Sequence, residues 1–298
     1  MSLPAIAILM PGDMGHGVGR ALRDHGHRSL TCLAGRSERT RGLAEQAGIE
    51  DMGDLATLVR ETDMILSILP PGQALAQAES VADAMHETGA KPVYVDCNAI
   101  SPDLTRKVGA AIAAAGAAYI DAGIIGLAPG KPGKTRLYVS GPDTSPMEAL
   151  DGKGFEVHRL EGGVGAASGL KMCYAGLTKG KWTLFTSVLL AAEQLGLGEA
   201  LRTEFTDSQQ ADYKTMQERV PRLPADSERW IAEMENIAET LASAGLPSGF
   251  HEGAAGIFRL LAKTPFAAET RETMDTGRTL EEALRVYAEY LPKRGKAT

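Results

Sequence analysis

A doubly wound α/β sheet followed by an all-α domain is the fold class that the amino-acid order predicts. Three observations carry that expectation. Short apolar runs alternate with helical patterns through the first half, as in parallel strands covered by helices on both faces. From about Gly163 the strand signals fade and long helical spacings take over. Finally, 298 residues are too many for one ordinary core and about right for two. The expected division is 1–162 for the sheet domain and 163–298 for the helical one.

Taken in order, the strand candidates are Ala5 to Met10, Ser29 to Ala34, Met64 to Leu69, Val93 to Cys97, Ala118 to Ala122 and Thr135 to Ser140. Strands buried on both faces read as continuous apolar runs, and Ile6 to Leu9 and Ile65 to Leu69 do so. Between them, Val18 to Asp24 and Leu43 to Ala47 carry helical spacing. Gly126 to Lys134, rich in Gly, Pro and Lys, reads as a loop joining two strands. In the second half Leu184, Val188, Ala191, Ala192 and Leu195 recur at steps of three and four. Glu228 to Ala244 and Leu280 to Tyr290 repeat the pattern. Pro221, Pro224, Gly245-Leu246-Pro247 and Pro265 separate these helices. The closing Lys293 to Thr298 reads as a solvated tail.

Composition narrows the function classes. Hydrophobic residues at 44% and charged residues at 23% exclude a disordered or fibrous chain. Aromatic residues are only 5% while glycine occurs 34 times, so alanine-rich helices and glycine turns shape the fold. With 31 basic and 38 acidic residues the net charge is -7, which disfavours a nucleic-acid surface, because phosphate binding needs clustered Lys and Arg. Cys32, Cys97 and Cys173 stand far apart and form neither a zinc ribbon nor a disulfide framework, which implies a reducing compartment. The opening MSLPAIAILM has no basic n-region and its apolar run stops at Pro11-Gly12, so it reads as a buried strand, not a signal peptide. No apolar stretch reaches the roughly 20 residues that cross a bilayer. The expectation is cytoplasmic small-molecule chemistry, with no nucleic-acid or membrane partner.

The first strand hands over to the first helix through Met10-Pro11-Gly12-Asp13-Met14-Gly15, which is where a dinucleotide site belongs. Gly12 lets backbone approach a pyrophosphate, Gly15 lets the helix pack close to the strand, and the helix start offers N–H groups to the anion. The full GxGxxG fingerprint fails at its first position, where Met10 replaces glycine. About 20 residues on, an NAD enzyme places an acid against the ribose hydroxyls. Here that place is basic, in Arg36-Ser37-Glu38-Arg39. Arg36 is suited to stacking on adenine or pairing with a 2′-phosphate, Ser37 to hydrogen-bonding that phosphate, and Arg39 or Arg41 to adding charge. NADP is therefore expected over NAD. The bland alternative is an ordinary turn followed by an exposed basic helix start.

These segments, with others in the same order, resemble the β-hydroxyacid dehydrogenase superfamily, which includes 3-hydroxyisobutyrate and 6-phosphogluconate dehydrogenases. Gly12-Asp13-Met14-Gly15 is similar to the second half of the family's GLGxMG loop. Ser67-Ile68-Leu69-Pro70-Pro71 resembles the apolar strand end beside the nicotinamide, and Asp96-Cys97-Asn98-Ala99-Ile100-Ser101-Pro102 resembles the DxSTIxP segment. Asp121-Ala122-Gly123-Ile124-Ile125-Gly126 occupies the place of the DAPVSGG substrate motif. Gly163 to Lys171 resembles the glycine-rich entry to the helix that carries the catalytic lysine. The resemblance implies a Rossmann domain followed by a helical domain, with substrate held in the cleft between them.

What it implies for single residues is as follows. Lys171 is the expected catalytic group. Asn98, Gly123, Ile125, Gly126, Ser168, Tyr174 and Thr178 are expected at the substrate. Gly12, Asp13, Met14, Gly15, Arg36, Ser37, Arg39, Leu69, Pro70 and Asn98 are expected at the cofactor, and no metal is expected. Two departures stand out. Ile125 and Gly126 replace the Ser-Gly pair that holds substrate carboxylate, and Ala175 replaces an asparagine one turn after the lysine, a loss that Tyr174 or Thr178 is placed to offset.

Hydride transfer needs a neighbouring group to exchange the hydroxyl proton, and an ammonium cannot act as a base. Oxidation therefore requires a partly neutral Lys171, which burial and a neighbouring positive charge favour. The expected activity is reversible NADP-dependent oxidation of a small hydroxyacid or related alcohol by a homodimer. Two alternatives stand beside it: C=N reduction, because imine reductases resemble the same architecture, and a non-catalytic NADP-binding sensor. Elsewhere, His25 and His27 read as solvated residues of a polar turn, and Lys179 and Lys181 as surface lysines or steering charges. For Trp230 core packing is favoured over lining the cleft.

Overall fold

The computed structural model describes residues 3–292, so the expected tail lies outside the described residues. The chain forms two compact units, the first ending at Met172 and the second beginning at Cys173. The division falls later than 162 because the long helix that follows the sheet makes its first contacts with the sheet.

The first unit is built on an eight-stranded sheet: β1 (Ile6–Ile8), β2 (Ser29–Thr31), β3 (Glu50–Asp51), β4 (Met64–Ser67), β5 (Val93–Asp96), β6 (Tyr119–Ile125), β7 (Arg136–Ser140) and β8 (Glu156–Arg159). Their order is β3-β2-β1-β4-β5-β6-β7-β8, and every pairing is parallel except the antiparallel one between β6 and β7. The helices are α1 (Gly15–Asp24), α2 (Glu38–Ala47), α3 (Leu55–Glu61), α4 (Ala74–Thr88), α5 (Pro102–Ala114) and the single turn α6 (Ser145–Glu148).

Strand alternation distributes side chains to two cores. Ile6 and Ile8 join Val18 and Leu22 of α1, with Leu66, Val95 and Ile120, on one face. Ala7 and Leu9 join Leu58, Val81, Met85, Val108 and Ile112 of α3, α4 and α5 on the other. Helices on both faces make the sheet doubly wound, as the alternation predicted. Strand order reverses between β1 and β4, so the crevice beyond their carboxyl ends is the switch point at which such sheets bind ligands.

Two strands differ from expectation by their presence. Glu50–Asp51 and Glu156–Arg159 lie towards the two edges of the sheet and are polar and partly exposed, so they lack the apolar run that marks an interior strand. A third difference concerns β6, which continues to Ile125, not Ala122, because Ile125 pairs with Arg136 across the antiparallel ladder. The loop from Gly126 to Lys134 then reverses the chain, as expected. Gly126 has φ +111, and an added Cβ would sit 2.1 Å from the Lys134 carbonyl oxygen, so only glycine fits this corner.

The long helix α7 (Ala166–Gln194) begins in the first unit and continues into the second. In the second unit it is followed by α8 (Gly198–Ser208), α9 (Gln210–Arg219), α10 (Pro224–Ser243), α11 (Gly249–Leu261) and α12 (Leu280–Glu289). Pro224 opens α10 in the first turn, where a missing N–H costs nothing. Trp230, Met234, Phe258, Leu261, Leu284 and Tyr287 are buried. Trp230 lies against Trp182 and Phe258 with centroid separations of 5.5 and 5.3 Å, the core packing its sequence setting favoured. Among the described residues no helix is long and apolar enough to cross a membrane.

Candidate cofactor and active site

The loop after β1 closes on the Met10 carbonyl. Gly12 N–H donates to Met10 O at 2.8 Å, and His16 N–H and Nδ1 lie 3.0 and 2.7 Å from Gly12 O. A Cβ on Gly15 would come within 2.4 Å of the same Met10 oxygen, so this glycine brings α1 down onto the strand end. Among the described residues only glycines have positive φ. Met10 therefore stands in the usual glycine's place without backbone strain. No side chain caps α1, although Ser37 and Asp54 cap α2 and α3, and the first turn carries no acid. A Cβ on Gly12 would meet nothing within 4 Å, so the helix start faces open space beside glycine. This is the setting in which orphan N–H groups receive an anion. Met14 occupies the N-cap position, and the Asp13 carboxylate pairs with Arg39 at 2.5 Å.

The basic segment after β2 resolves into separate tasks. Ser37 accepts from Thr40 N–H and so caps α2. Arg41 donates to Leu33 O and Arg36 O, bracing the turn. Arg39 is engaged by Asp13. Arg36 borders a cleft lined by Leu9, Cys32, Ala34, Leu55 and Gln77 among others. Its Nη2 donates to Gln77 Oε1 at 3.1 Å, while its Nε is buried without a partner. A buried unmet donor is costly unless a ligand supplies an acceptor. Together with the uncapped α1, this fits the adenosine and pyrophosphate parts of a dinucleotide. Gln77 on α4 carried no signal in sequence, since nothing ties it to residue 36 except the fold.

Leu69 and Pro70 follow β4 on the far side of the crevice. Asn98, 2% exposed, accepts Leu69 N–H on Oδ1 at 2.6 Å and donates from Nδ2 to Ser67 Oγ at 3.0 Å. Its carboxamide thus ties the ends of β4 and β5 together. Through these bonds Asn98 shapes the Leu69-Pro70 segment.

The carboxyl half of β6 clasps the start of α7. Asp121, fully buried, accepts on Oδ2 from the N–H groups of Gly165, Ala167 and Ser168 at 2.8 to 3.1 Å and from Ser140 Oγ at 3.0 Å. Ser168 Oγ donates to Oδ1 at 2.5 Å. Gly123 lies under the helix, where an added Cβ would be 2.9 Å from both Ala167 O and Lys171 Cβ. Lys171 Nζ donates to Ile124 O at 2.7 Å. Ile125, buried, shares its strand face with Asp121 and Gly123 by the two-residue period. The structure thus places Gly123 and the Ile124 carbonyl against Lys171, with Ile125 and Gly126 next along the same strand and corner. Ser168 is turned to Asp121 and anchors the helix.

Behind the clasp, Tyr119 OH donates to Asp96 Oδ2 at 3.1 Å and lies 2.6 Å from Thr105 Oγ1. Asp96 also accepts Asn98 N–H at 2.9 Å. Burial, reinforced by the Asp121 charge and opposed by the hydrogen bonds from Asn98 and Tyr119, pushes the Asp96 carboxyl up to about 6. Asp121 and Asp96 were not singled out individually from sequence. The signal was there in outline, as an acid within the apolar run of a strand.

Tyr174 and Thr178 belong to the second unit. Tyr174 is 52% exposed, and Thr178 Oγ1 donates to Tyr174 O one turn back, so its hydroxyl proton is used on the helix backbone. Lys179 is ion-paired with buried Glu233 and is not the solvated lysine expected, whereas Lys181, 42% exposed, pairs with Asp212 at 2.6 Å on the surface. His27 is also buried, 3.0 Å from Pro4 O, and does not lie in solvent. No group of three His, Cys, Asp or Glu residues among the described residues is arranged to hold a metal ion.

A doubly wound sheet with an open glycine turn after its first strand, and a long helix clasped to its sixth, is a dinucleotide-binding fold. Residues 5–150 match the family model of the NAD binding domain of 6-phosphogluconate dehydrogenase, and residues 192–261 match a domain of unknown function, DUF1932. The first half of the chain is thus similar to the NAD binding domain of 6-phosphogluconate dehydrogenase, and its fold is shared with 3-hydroxyisobutyrate dehydrogenase structures. An uncharacterized 28.5 kDa protein of Methanothermus fervidus is 30% identical over 171 residues, 57% of this chain. The 3-hydroxyisobutyrate dehydrogenase of Pseudomonas aeruginosa is 28% identical over 200 residues, 65% of this chain. The chain spans less than two thirds of these curated relatives, 64% and 63% of their lengths. Among solved structures, Mycobacterium tuberculosis 3-hydroxyisobutyrate dehydrogenase with L-serine shares the fold at TM-score 0.64 and 20% identity, over 96% of this chain and 99% of that one. An imine reductase from Myxococcus stipitatus in complex with NAD+ shares it at TM-score 0.52 and 17% identity, over 95% and 100%.

Proposed function

We propose that the protein is an NADP-dependent oxidoreductase that interconverts a small hydroxyacid or related alcohol with its carbonyl form, with Lys171 as the proton-exchanging group. The observation that carries this reading is the fixed Lys171 amine, held on the Ile124 carbonyl at the end of the substrate-motif strand. When bound, the nicotinamide gives or takes the hydride. Lys171 Nζ then exchanges a proton with the substrate oxygen, so that an alkoxide does not form alone. Ile125 adds an apolar wall where a carboxylate-binding serine would stand, which favours a substrate with fewer anionic contacts. The test is oxidation of NADPH, followed at 340 nm, against a panel of short ketoacids, aldehydes and cyclic imines. Turnover of ketoacids or aldehydes supports the proposal. Turnover confined to imines favours C=N reduction, the reading that the loss of the serine donor supports. NADPH binding with no turnover favours a sensor.

The NADP preference rests on Arg36 and its unmet Nε. Arg36→Ala is expected to weaken NADP about 10- to 100-fold, the size of one or two charge-assisted bonds, and to weaken NAD several-fold at most. Titration calorimetry with both dinucleotides measures this, and equal losses would defeat the 2′-phosphate assignment. Leu177, Leu184, Val188 and Leu195, exposed along α7, support a homodimer. Light scattering on the eluting protein should give twice the 31.5 kDa chain mass.

A further inference from the structure

We infer that Asp121 is the positioning residue for Lys171, acting through the first turn of α7. This inference rests on the catalytic reading of Lys171 given above. Three contacts from four consecutive strand residues converge on the helix start. Asp121 takes the N–H groups of Gly165, Ala167 and Ser168, Gly123 lets the helix lie directly on the strand backbone, and Ile124 O receives the Lys171 amine. The helix start and the lysine head are therefore fixed to the same strand, one turn apart. Ser140 Oγ, donating to Asp121 and accepting from Ala167 N–H, ties β7 into the same joint. With three N–H and two O–H donors converging at 2.5 to 3.1 Å, the Asp121 side chain has one geometry in which all are met. A carboxylate at a helix N-terminus also offsets the positive end of the helix dipole, which otherwise disfavours a nearby ammonium. Asp121 thus sets both the place of the amine and the field it titrates in.

Asp121→Asn keeps the size of the group while removing the charge and turning two hydrogens towards the converging donors. Its kcat is expected to fall 10- to 100-fold, with the NADPH dissociation constant, read by fluorescence, within twofold of wild type. Asp121 and Ile124 are about 10 Å apart along the strand. Removing a buried charge at that range should lower the titration midpoint of the Lys171 amine by about one pH unit. Carbon-13 reductive methylation reads that midpoint by NMR without turnover, with the Lys171 resonance assigned from its absence in Lys171→Met. Should Asp121→Asn fail to fold, Ser140→Ala loosens the same joint from β7 and is expected to lower kcat 3- to 10-fold with NADPH affinity retained. A merely structural cap would lower the folded fraction and leave kcat per folded molecule and the amine midpoint unchanged, and that result overturns the inference. If Lys171→Met itself retains turnover, the functional reading fails first. If Lys171→Met is inactive while Asp121→Asn and Ser140→Ala turn over normally with an unmoved midpoint, only the positioning role fails.

Discussion

Lys171→Met is expected to lower kcat by about a thousandfold in both directions of the reaction while NADPH affinity stays within twofold of wild type. General acid–base groups are commonly worth 10²- to 10⁴-fold, and the Ile124 carbonyl fixes the place of this amine. Methionine preserves the length and apolar stem of the side chain, and the contact beneath it at Gly123 involves Cβ, which both residues carry. The helix should therefore keep its seat on β6. Single-turnover mixing with NADPH isolates the chemical step from product release and makes the loss a statement about proton transfer. A variant with wild-type single-turnover rate would remove Lys171 from the chemistry. A loss confined to KM would instead make it a binding group.

The reason this lysine could be suggested from sequence, and its anchor could not, is physical. Ile6 to Ile8 and Met64–Ser67 announce themselves because both faces are buried, and apolar side chains at every position are the consequence. Glu50–Asp51 is wholly polar and Glu156–Arg159 has Val157 alone packed on the core, so neither strand leaves a periodicity to read. The same distinction holds at the site. Gly12 and Gly15 sit in a local turn whose geometry is written in consecutive residues. The pairs Arg36 with Gln77, Asn98 with Leu69, and Asp121 with Ser168 are separated by 41, 29 and 47 residues and exist only once the sheet has formed. Of the polar residues after β2, sequence could count charges but not assign them. Ser37 caps its helix, Arg39 answers Asp13 and Arg41 braces the turn, and Arg36 is the one with a buried donor still unmet.

Asp96→Asn is expected to stabilise the protein above pH 6 and to abolish part of its pH dependence. Asp96 is fully buried, and burial raises its carboxyl from 3.8 to about 6 in the folded protein. Between those values the folded state holds a proton that the unfolded chain has released. The number of bound protons is then larger in the folded state, so unfolding free energy falls as pH rises through that window and levels off above it. The stability present below about pH 4 is therefore progressively lost by about pH 6, to the extent of about 3 kcal/mol for a shift of this size. An asparagine does not titrate, and its oxygen can still accept Asn98 N–H. Its amide can donate to the Tyr119 oxygen, which then donates to Thr105, so the local hydrogen bonds can be kept with their direction reversed. Urea unfolding at intervals from pH 4 to 8 should give wild-type and variant curves that meet near pH 4 and separate to about 3 kcal/mol by pH 8, with the variant the more stable. Parallel curves would mean that Asp96 titrates alike in both states, and that the burial of this carboxyl does not govern the stability of the joint behind Lys171.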